Sequence, residues 1–374
     1  TSLSAQELVR QLNAYAAAQA RYFARYRRPG QRMQDPFPRV ILIPGVGMFT
    51  TGSDATETAM VAQIYEHAMA VMRDASTIGR YRSVSERAAF DVEYWGLELA
   101  KLASAAPEPE LARKVGLITG AAGGIGRAIA QMLVDRGACV VVTDLKRPDL
   151  ERLAEALNRR AGRRRALGIA MDVTDESSVE RAFDETTRVF GGIDFLVSNA
   201  GVATVARIDR LERVDWERNL AVNATGHFLV ARTAVRWLRA QGLGGALVFI
   251  SSKNVPAPGY AFGAYSASKA AETQLARVLA IENGDCGIRV NLVNPDGVFE
   301  GSGLWKAIAR DRAKTYALRP HQLEAYYQQR NLLKARVLPD DVAEAVCFLI
   351  SGRSAKTTGC VLTVDGGLRE AFPR

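Results

Sequence analysis

Residues 115–144 read VGLITGAAGGIGRAIAQMLVDRGACVVVTD. An apolar run, Val115–Thr119, leads into a glycine-rich turn at Thr119–Gly126. A helical pattern follows from Arg127 to Arg136, then a second apolar run, Cys139–Asp144, that ends on a carboxylate. Strand, turn, helix and strand in so short a span predict a βαβ unit with parallel strands. A glycine-rich turn lets a backbone approach a pyrophosphate closely, and the helix N-terminus adds N–H groups and partial positive charge. The spacing T-G-x-x-x-G-x-G is looser than G-x-G-x-x-G and says little alone; its place between strand and helix gives it weight.

The alternation continues outward. Further apparent strands are Ala166–Asp172, Phe195–Asn199, Ala246–Ser251, Arg289–Pro295 and Cys360–Val364, with helical patterns between them. Continuous apolar strands alternating with helices predict an α/β fold over residues 111–374: a doubly wound Rossmann parallel sheet of about seven strands, covered on both faces. Asp144 at the end of the second strand can bond both ribose hydroxyls of NAD and repel the 2′-phosphate of NADP. No Arg or Lys stands in the glycine loop, which favours NAD, although Lys146 and Arg147 follow closely and keep NADP open. Asp172 can bond an adenine amine or cap the helix Thr174–Glu180. Asn199-Ala200-Gly201 can let backbone pass beside an adenosine or form an ordinary strand-end turn.

Residues 252–269 read SKNVPAPGYAFGAYSASK. Tyr265 and Lys269 are one helical turn apart, so on a helix they share a face. The lysine charge would favour phenolate and lower the tyrosine pKa, giving a group able to exchange a proton near neutrality. Ser252, after an apolar strand, can donate a hydrogen bond to a substrate oxygen. Taken alone, the pair reads first as an exposed tyrosine and a solvated lysine on one helix.

Together Thr119–Gly126, Asp144, Asn199-Ala200-Gly201, Asn223, Ser252, Tyr265 and Lys269, with Asn291–Pro295 and Val364–Gly367, resemble the short-chain dehydrogenase/reductase family. The resemblance implies an oxidoreductase with a nicotinamide cofactor, a small-molecule substrate and a homo-tetramer or dimer. It implies Tyr265 as general acid/base, Lys269 as its tuning partner and ribose ligand, Ser252 as the group orienting the substrate oxygen, and Asn223 as the holder of a relay water. Asn223 reads otherwise as a polar helix residue. The implied cofactor contacts are Gly120, Gly124, Ile125, Gly126, Asp144, Leu145, Asp172, Val173, Asn199, Ala200, Gly201, Tyr265, Lys269, Pro295 and Val298. Two departures, Pro295-Asp296-Gly297 and Lys253-Asn254, stand where substrate and nicotinamide should meet; they read as substrate-selecting residues or as local turns. Gly301–Arg336 is an insertion-like lid segment, in which Arg310, Arg312 and Arg319 either meet an anionic substrate or lie on the surface.

Residues 1–110 read as a smaller, mostly helical extension, closed by a linker at 105–109. Ser4 caps a first helix to Arg27, with Glu7 completing a capping box. A short strand, Arg39–Pro44, is followed by GVGMFTTG, whose glycines read as a strand-to-helix turn before a helix from Asp54 to Ala75. A last helix spans Ser85–Leu102, with Phe90, Val92, Tyr94, Trp95 and Leu97 as packing residues. Phe37–Phe49, Tyr65–His67 and Ser85–Leu99 resemble the junction in bifunctional rhamnulose-1-phosphate aldolase/short-chain dehydrogenases. The extension would then be an aldolase remnant without aldolase activity, since His67 is its one histidine. That resemblance points to a hydroxy-aldehyde, alcohol or sugar-derived carbonyl as substrate, lactaldehyde among them.

The chain has 374 residues and a net charge of +9. Two arginine clusters carry much of it: Arg21 to Arg32, with Tyr22, Phe23 and Tyr26 interleaved, and Arg159 to Arg165. They fit solvated faces or an acidic partner surface better than nucleic acid. No apolar run approaches a membrane span, and the N-terminus lacks the pattern of a signal peptide. Four cysteines without C-x-x-C pairing fit reduced thiols in a cytoplasmic protein. No His/Cys cluster has zinc spacing, so no metal is expected. The absent starting Met fits a fragment or a processed product. A non-catalytic NAD-binding scaffold or sensor is the alternative of a different class; it could lose Ser252, Tyr265 or Lys269 freely.

Overall fold

The computed structural model describes residues 4–104 and 107–372, and the chain divides into two compact units, Thr1–Glu108 and Pro109–Arg374. Residues 105–106, the start of the expected linker, lie outside the described residues, as do 1–3 and 373–374.

The first unit comprises α1 (Ala5–Tyr26), β1 (Val40–Ile43), β2 (Gly47–Thr50), α2 (Ala55–Ile78), α3 (Glu86–Glu93) and α4 (Gly96–Ala103). Ser4 caps α1 by accepting from Glu7 N, but the Glu7 carboxylate turns to Arg10 and Gln11, so the box is half made. The stretch 45–47 is not a strand-to-helix turn. It closes an antiparallel hairpin in which Ile43 faces Gly47 and Val40 faces Thr50. The expected helix over 85–102 is broken at Trp95, where the backbone is extended ahead of Gly96. Phe90 and Tyr94 stack at 4.4 Å and pack on Phe23. Val92, Trp95 and Leu97 are exposed, contrary to their expected packing role: Val92 points away from the Phe90–Tyr94 side of α3, and the break turns Trp95 and Leu97 off that face.

The second unit runs β3 (Val115–Thr119), α5 (Gly124–Asp135), β4 (Cys139–Asp144), α6 (Arg147–Ala161), β5 (Ala166–Ala170), α7 (Glu176–Phe190), β6 (Phe195–Ser198), α8 (Arg213–Leu220), α9 (His227–Gln241), β7 (Gly245–Ile250), α10 (Gly263–Asn283), β8 (Ile288–Pro295), α11 (Gly303–Lys314), α12 (Leu323–Arg330), α13 (Pro339–Ile350) and β9 (Val361–Val364). The seven strands are parallel in the order β5-β4-β3-β6-β7-β8-β9. Side chains alternate across the strands. Ile118 joins Ile129, Leu133 and Val346 in one layer, whereas Leu117 joins Val179, Phe183 and Val230 in the other. Each such buried aliphatic side chain contributes about 1.5–3 kcal/mol of transfer free energy. The strand order reverses between β3 and β6, which opens a crevice at the carboxyl ends of the strands.

Candidate active site

A cleft of about 780 Å³ lies at that crevice. Its wall includes Gly120, Gly124, Ile125 and Gly126 from the glycine turn, Asp144 and Leu145 after β4, and Asp172 and Val173 after β5. Asn199, Ala200 and Gly201 follow β6, Ser252 follows β7, Pro295 ends β8 and Val298 lies just beyond it. Tyr265 and Lys269 reach it from α10. Every residue expected to touch a cofactor is thus on one surface. Asn223 is fully buried behind it.

The glycine turn is shaped by close approach. Gly120 has φ of +63°, and a Cβ there would stand 2.8 Å from the Ala200 backbone. A Cβ on Gly124 would meet the Glu300 carbonyl oxygen at 2.1 Å, and Gly124 N donates to Gly301 O at 3.1 Å. Asn199 fastens this turn to β6: its amide donates to the carbonyls of Thr119 and Gly120, while Thr119 Oγ1 accepts from Asn199 N and Ala200 N. At the end of β4 the Asp144 carboxylate accepts from Ala122 N and Leu145 N, which fixes its position. Asp172 does not cap a helix. It accepts from Thr174 N and Thr174 Oγ1 in a local turn, and Asp175 caps α7.

Tyr265, Lys269 and Ser252 are all buried. Ser252 Oγ accepts from Asn254 N at 3.1 Å and from Asn254 Nδ2 at 3.0 Å, which leaves its O–H directed to other acceptors. Lys269 Nζ donates to Ile250 O at 2.8 Å and lies 2.6 Å from Glu272 Oε2. Burial, the largest influence on Tyr265, pushes its phenol pKa up; Lys269 and the hydrogen bond with Ser252 pull it down without prevailing. The expected net lowering is therefore reversed, because the chain buries the phenol more deeply than a surface helix would.

Asn223 lies in a π turn, Ala221–Gly226, between α8 and α9. Its side chain accepts from Val202 N and donates to Val202 O and Ser268 Oγ. The amide is therefore committed to protein partners, and a π turn is the local device that frees backbone groups at functional sites.

The departures near the substrate end have structural employment. Asn254 Oδ1 accepts from Gly259 N, so Asn254 ties Ser252 to the 256–259 turn. Lys253 is buried with its ammonium on Ala257 O at 3.1 Å, and burial lowers its pKa to about 8. Asp296 pairs with Arg330, whose guanidinium covers the Tyr327 ring at 4.1 Å. Arg312 is neither surface charge nor open to an anion. It is fully buried, donating to Tyr327 Oη, Tyr316 Oη and Tyr260 O. Sequence reading passed over two residues: Glu272, three positions after Lys269 on the same helical face, and His227, one residue past the π turn. The i, i+3 rule that applies to Lys269 and Glu272 is the same kind of signal that joined Tyr265 to Lys269.

Comparison with known proteins agrees with this geometry. A family profile described as enoyl-(acyl carrier protein) reductase matches residues 120–369, and one described as class II aldolase, second domain, matches residues 2–102. The uncharacterized oxidoreductase YuxG of Bacillus subtilis is 44% identical over 94% of this chain; the chain spans 51% of that protein's length. The D-threitol dehydrogenase of Mycolicibacterium smegmatis is 37% identical, over 68% of this chain and 92% of its own. The crystal structure of sorbitol-6-phosphate 2-dehydrogenase from Erwinia amylovora superposes with a TM-score of 0.64 at 30% identity, covering 67% of this chain and 98% of that one. The chain belongs to the short-chain dehydrogenase/reductase family of oxidoreductases, with a segment similar to a class II aldolase second domain ahead of the dehydrogenase fold.

Proposed function

We propose that residues 111–374 form an NAD-dependent dehydrogenase for a small hydroxy-aldehyde, polyol or sugar-derived carbonyl, with lactaldehyde in that class. The observation that carries this reading is the meeting of Ser252, Tyr265 and Lys269 in the cleft that also holds the glycine turn and Asp144. The fit to a dinucleotide rests on three features. Gly120 and Gly124 sit where no side chain can. Past Gly124 N, which Gly301 O holds, the first turn of α5 has N–H groups without helical partners, suited to phosphate oxygens. Asp144 is held by two backbone N–H groups at the position that meets an adenosine ribose.

Gly120, Gly124, Ile125 and Gly126 would hold the pyrophosphate, and Asp144 with Leu145 the adenosine ribose. Asp172 and Val173 would flank the adenine, Asn199 to Gly201 the adenosine side, and Pro295, Val298, Tyr265 and Lys269 the nicotinamide end. When bound, the nicotinamide supplies hydride exchange. Ser252 orients the substrate oxygen through the O–H that in the ligand-free protein bonds Tyr265, and Tyr265 gives that oxygen a proton or takes one from it. Lys269 biases the phenol electrostatically. Asn223, its side-chain amide held by Val202 and Ser268, would serve a proton-relay water through its backbone. D-threitol and sorbitol 6-phosphate, named for two relatives, are polyols, which supports this substrate class. Residues 1–110 are read as an aldolase-derived unit without aldolase chemistry of its own.

The test is NAD reduction over a panel of D-threitol, sorbitol 6-phosphate, 1,2-propanediol and lactaldehyde. Turnover on one of these supports the reading. Tight NAD binding without turnover would replace the enzyme by a sensor. Asp144→Ala should reduce the preference for NAD over NADP in kcat/KM by at least tenfold, about 1.4 kcal/mol; an unchanged ratio places selectivity elsewhere.

A further inference from the structure

Behind the Tyr265–Lys269 pair lies a buried polar cluster that proton exchange at the cleft does not by itself require. Glu272 and His227 are 0% and 1% exposed. His227 Nε2 stands 2.8 Å from Ala200 O, an acceptor, so Nε2 carries the ring proton. Nδ1 then presents its lone pair, which meets Ser198 Oγ at 2.8 Å and Glu272 Oε1 at 3.3 Å. An ionised carboxylate beside a lone pair is repelled; a protonated one is not. The other oxygen, Oε2, lies 2.6 Å from the Lys269 ammonium, which favours the ionised form. Neither Glu272 oxygen makes a well-aligned hydrogen bond, so the 2.6 Å contact acts chiefly as an ion pair. One side of the carboxyl calls for a proton and the other for a charge.

Among the described residues, the ionisable groups acting on Glu272 or its two partners are few. Lys269 and Tyr265 come from its own helix and His227 from α9. β6 adds the Ser198 hydroxyl and β7 adds Phe249, stacked on the His227 ring at 5.9 Å. Burial raises the Glu272 pKa to about 7, with Lys269 opposing, and lowers that of His227 to about 3. An ionised Glu272 in turn opposes loss of the Tyr265 proton.

We infer that Glu272 is a positioning residue for the Tyr265–Lys269 pair: it holds an exchangeable proton between Lys269 and His227, and its charge state shifts the pH at which Tyr265 releases its own. The inference rests on the proposed role of Tyr265, but it can be read in the ligand-free protein. Neutral Glu272 leaves the Lys269 charge free to act on the phenol. Ionised Glu272 offsets part of that charge. The two titrations are coupled and belong to the cluster rather than to one residue.

The experiment uses the full chain without cofactor. Infrared titration between about pH 5 and pH 9 should show a buried protonated carboxyl that fades near neutrality. The band should vanish in Glu272→Gln. In the same variant the ultraviolet phenolate titration, taken as the difference from Tyr265→Phe, should move down by about one pH unit. Where NAD turnover is found, the limb of kcat/KM belonging to Tyr265 should shift equally, while Glu272→Asp stays near wild type. Absence of the band, or an unmoved phenolate titration, overturns the inference whether or not turnover is found. Should Glu272→Gln fail to fold, Glu272→Asp carries the test, since it must displace the band; an unmoved band then assigns it to another carboxyl and sinks the idea.

Discussion

Burial and charge act on Tyr265 in opposite directions, and burial prevails. At neutral pH the phenol keeps its proton, and in the proposed role it donates that proton to a carbonyl oxygen. Reduction should therefore weaken as pH rises through the apparent pKa of Tyr265, and oxidation should strengthen over the same range; kcat/KM profiles in both directions check this. Tyr265→Phe removes proton exchange and should cost a factor of about 10² to 10⁴ in turnover with NAD affinity retained. Asn254→Ala removes one of the two bonds that aim Ser252, and should lower kcat/KM about fivefold, as the loss of one hydrogen bond near 1 kcal/mol does. At this scale the positions of Ser252, Tyr265 and Lys269 were legible because motif spacing maps onto strand ends and one helix face. The sign of the phenol shift was not, since burial depends on Ile308 and Trp305 arriving from α11 beside the adjacent Phe262.

Between residues and fold, the segment α11–α12 is held by an inward-facing cation. Arg312 lies over the rings of Phe262 and Tyr316 at 4.5 and 4.8 Å and bonds groups from the 259–262 turn, α12 and the residues after α11. Arg312→Met keeps much of the volume but leaves buried polar partners unpaired, at about 1–3 kcal/mol each. It should raise KM at least tenfold and speed limited proteolysis within residues 303–330, while the far-ultraviolet melt of the sheet moves little. Kinetics and timed digestion measure both. A run of arginines in sequence looks like a solvated face, so nothing local distinguishes Arg312 from exposed Arg310 and Arg319. The same limit governs residues 85–102: the periodicity carries a helix, but the extended backbone at Trp95 that splits it is set by Phe90 and Tyr94 packing on Phe23. By contrast, the strands of the sheet lie within one or two residues of their expected bounds, because continuous apolar runs between glycine and charged turns leave little freedom.

For the whole molecule, the order of the sheet decides where chemistry can happen. The reversal between β3 and β6 brings Gly120, Asn199 and Ser252 to one edge although they are far apart in the chain. The two arginine clusters include exposed ion pairs inside their own units, such as Arg25 with Glu86 and Arg160 with Asp135, which contribute little stability. The buried cluster of His227 and Glu272 enters the stability of the whole chain differently. In the unfolded chain, at a pH between 4.5 and 6.5, the histidine holds a proton and the glutamate does not; in the fold the glutamate holds it and the histidine does not. Folding thus relocates one proton internally and takes none from solvent, so this couple leaves stability flat across that window. Each partner alone should tilt it. With Glu272→Gln only the lowered histidine remains, so stability is full above pH 6.5 and falls with acid at up to about 1.4 kcal/mol per unit. With His227→Gln only the raised carboxyl remains, so stability is greatest below pH 4.5 and declines as pH rises toward 7. Urea unfolding of both variants against wild type, pH by pH, should give difference curves of opposite slope: a chain whose acid tolerance is balanced by two side chains exchanging one proton as it closes.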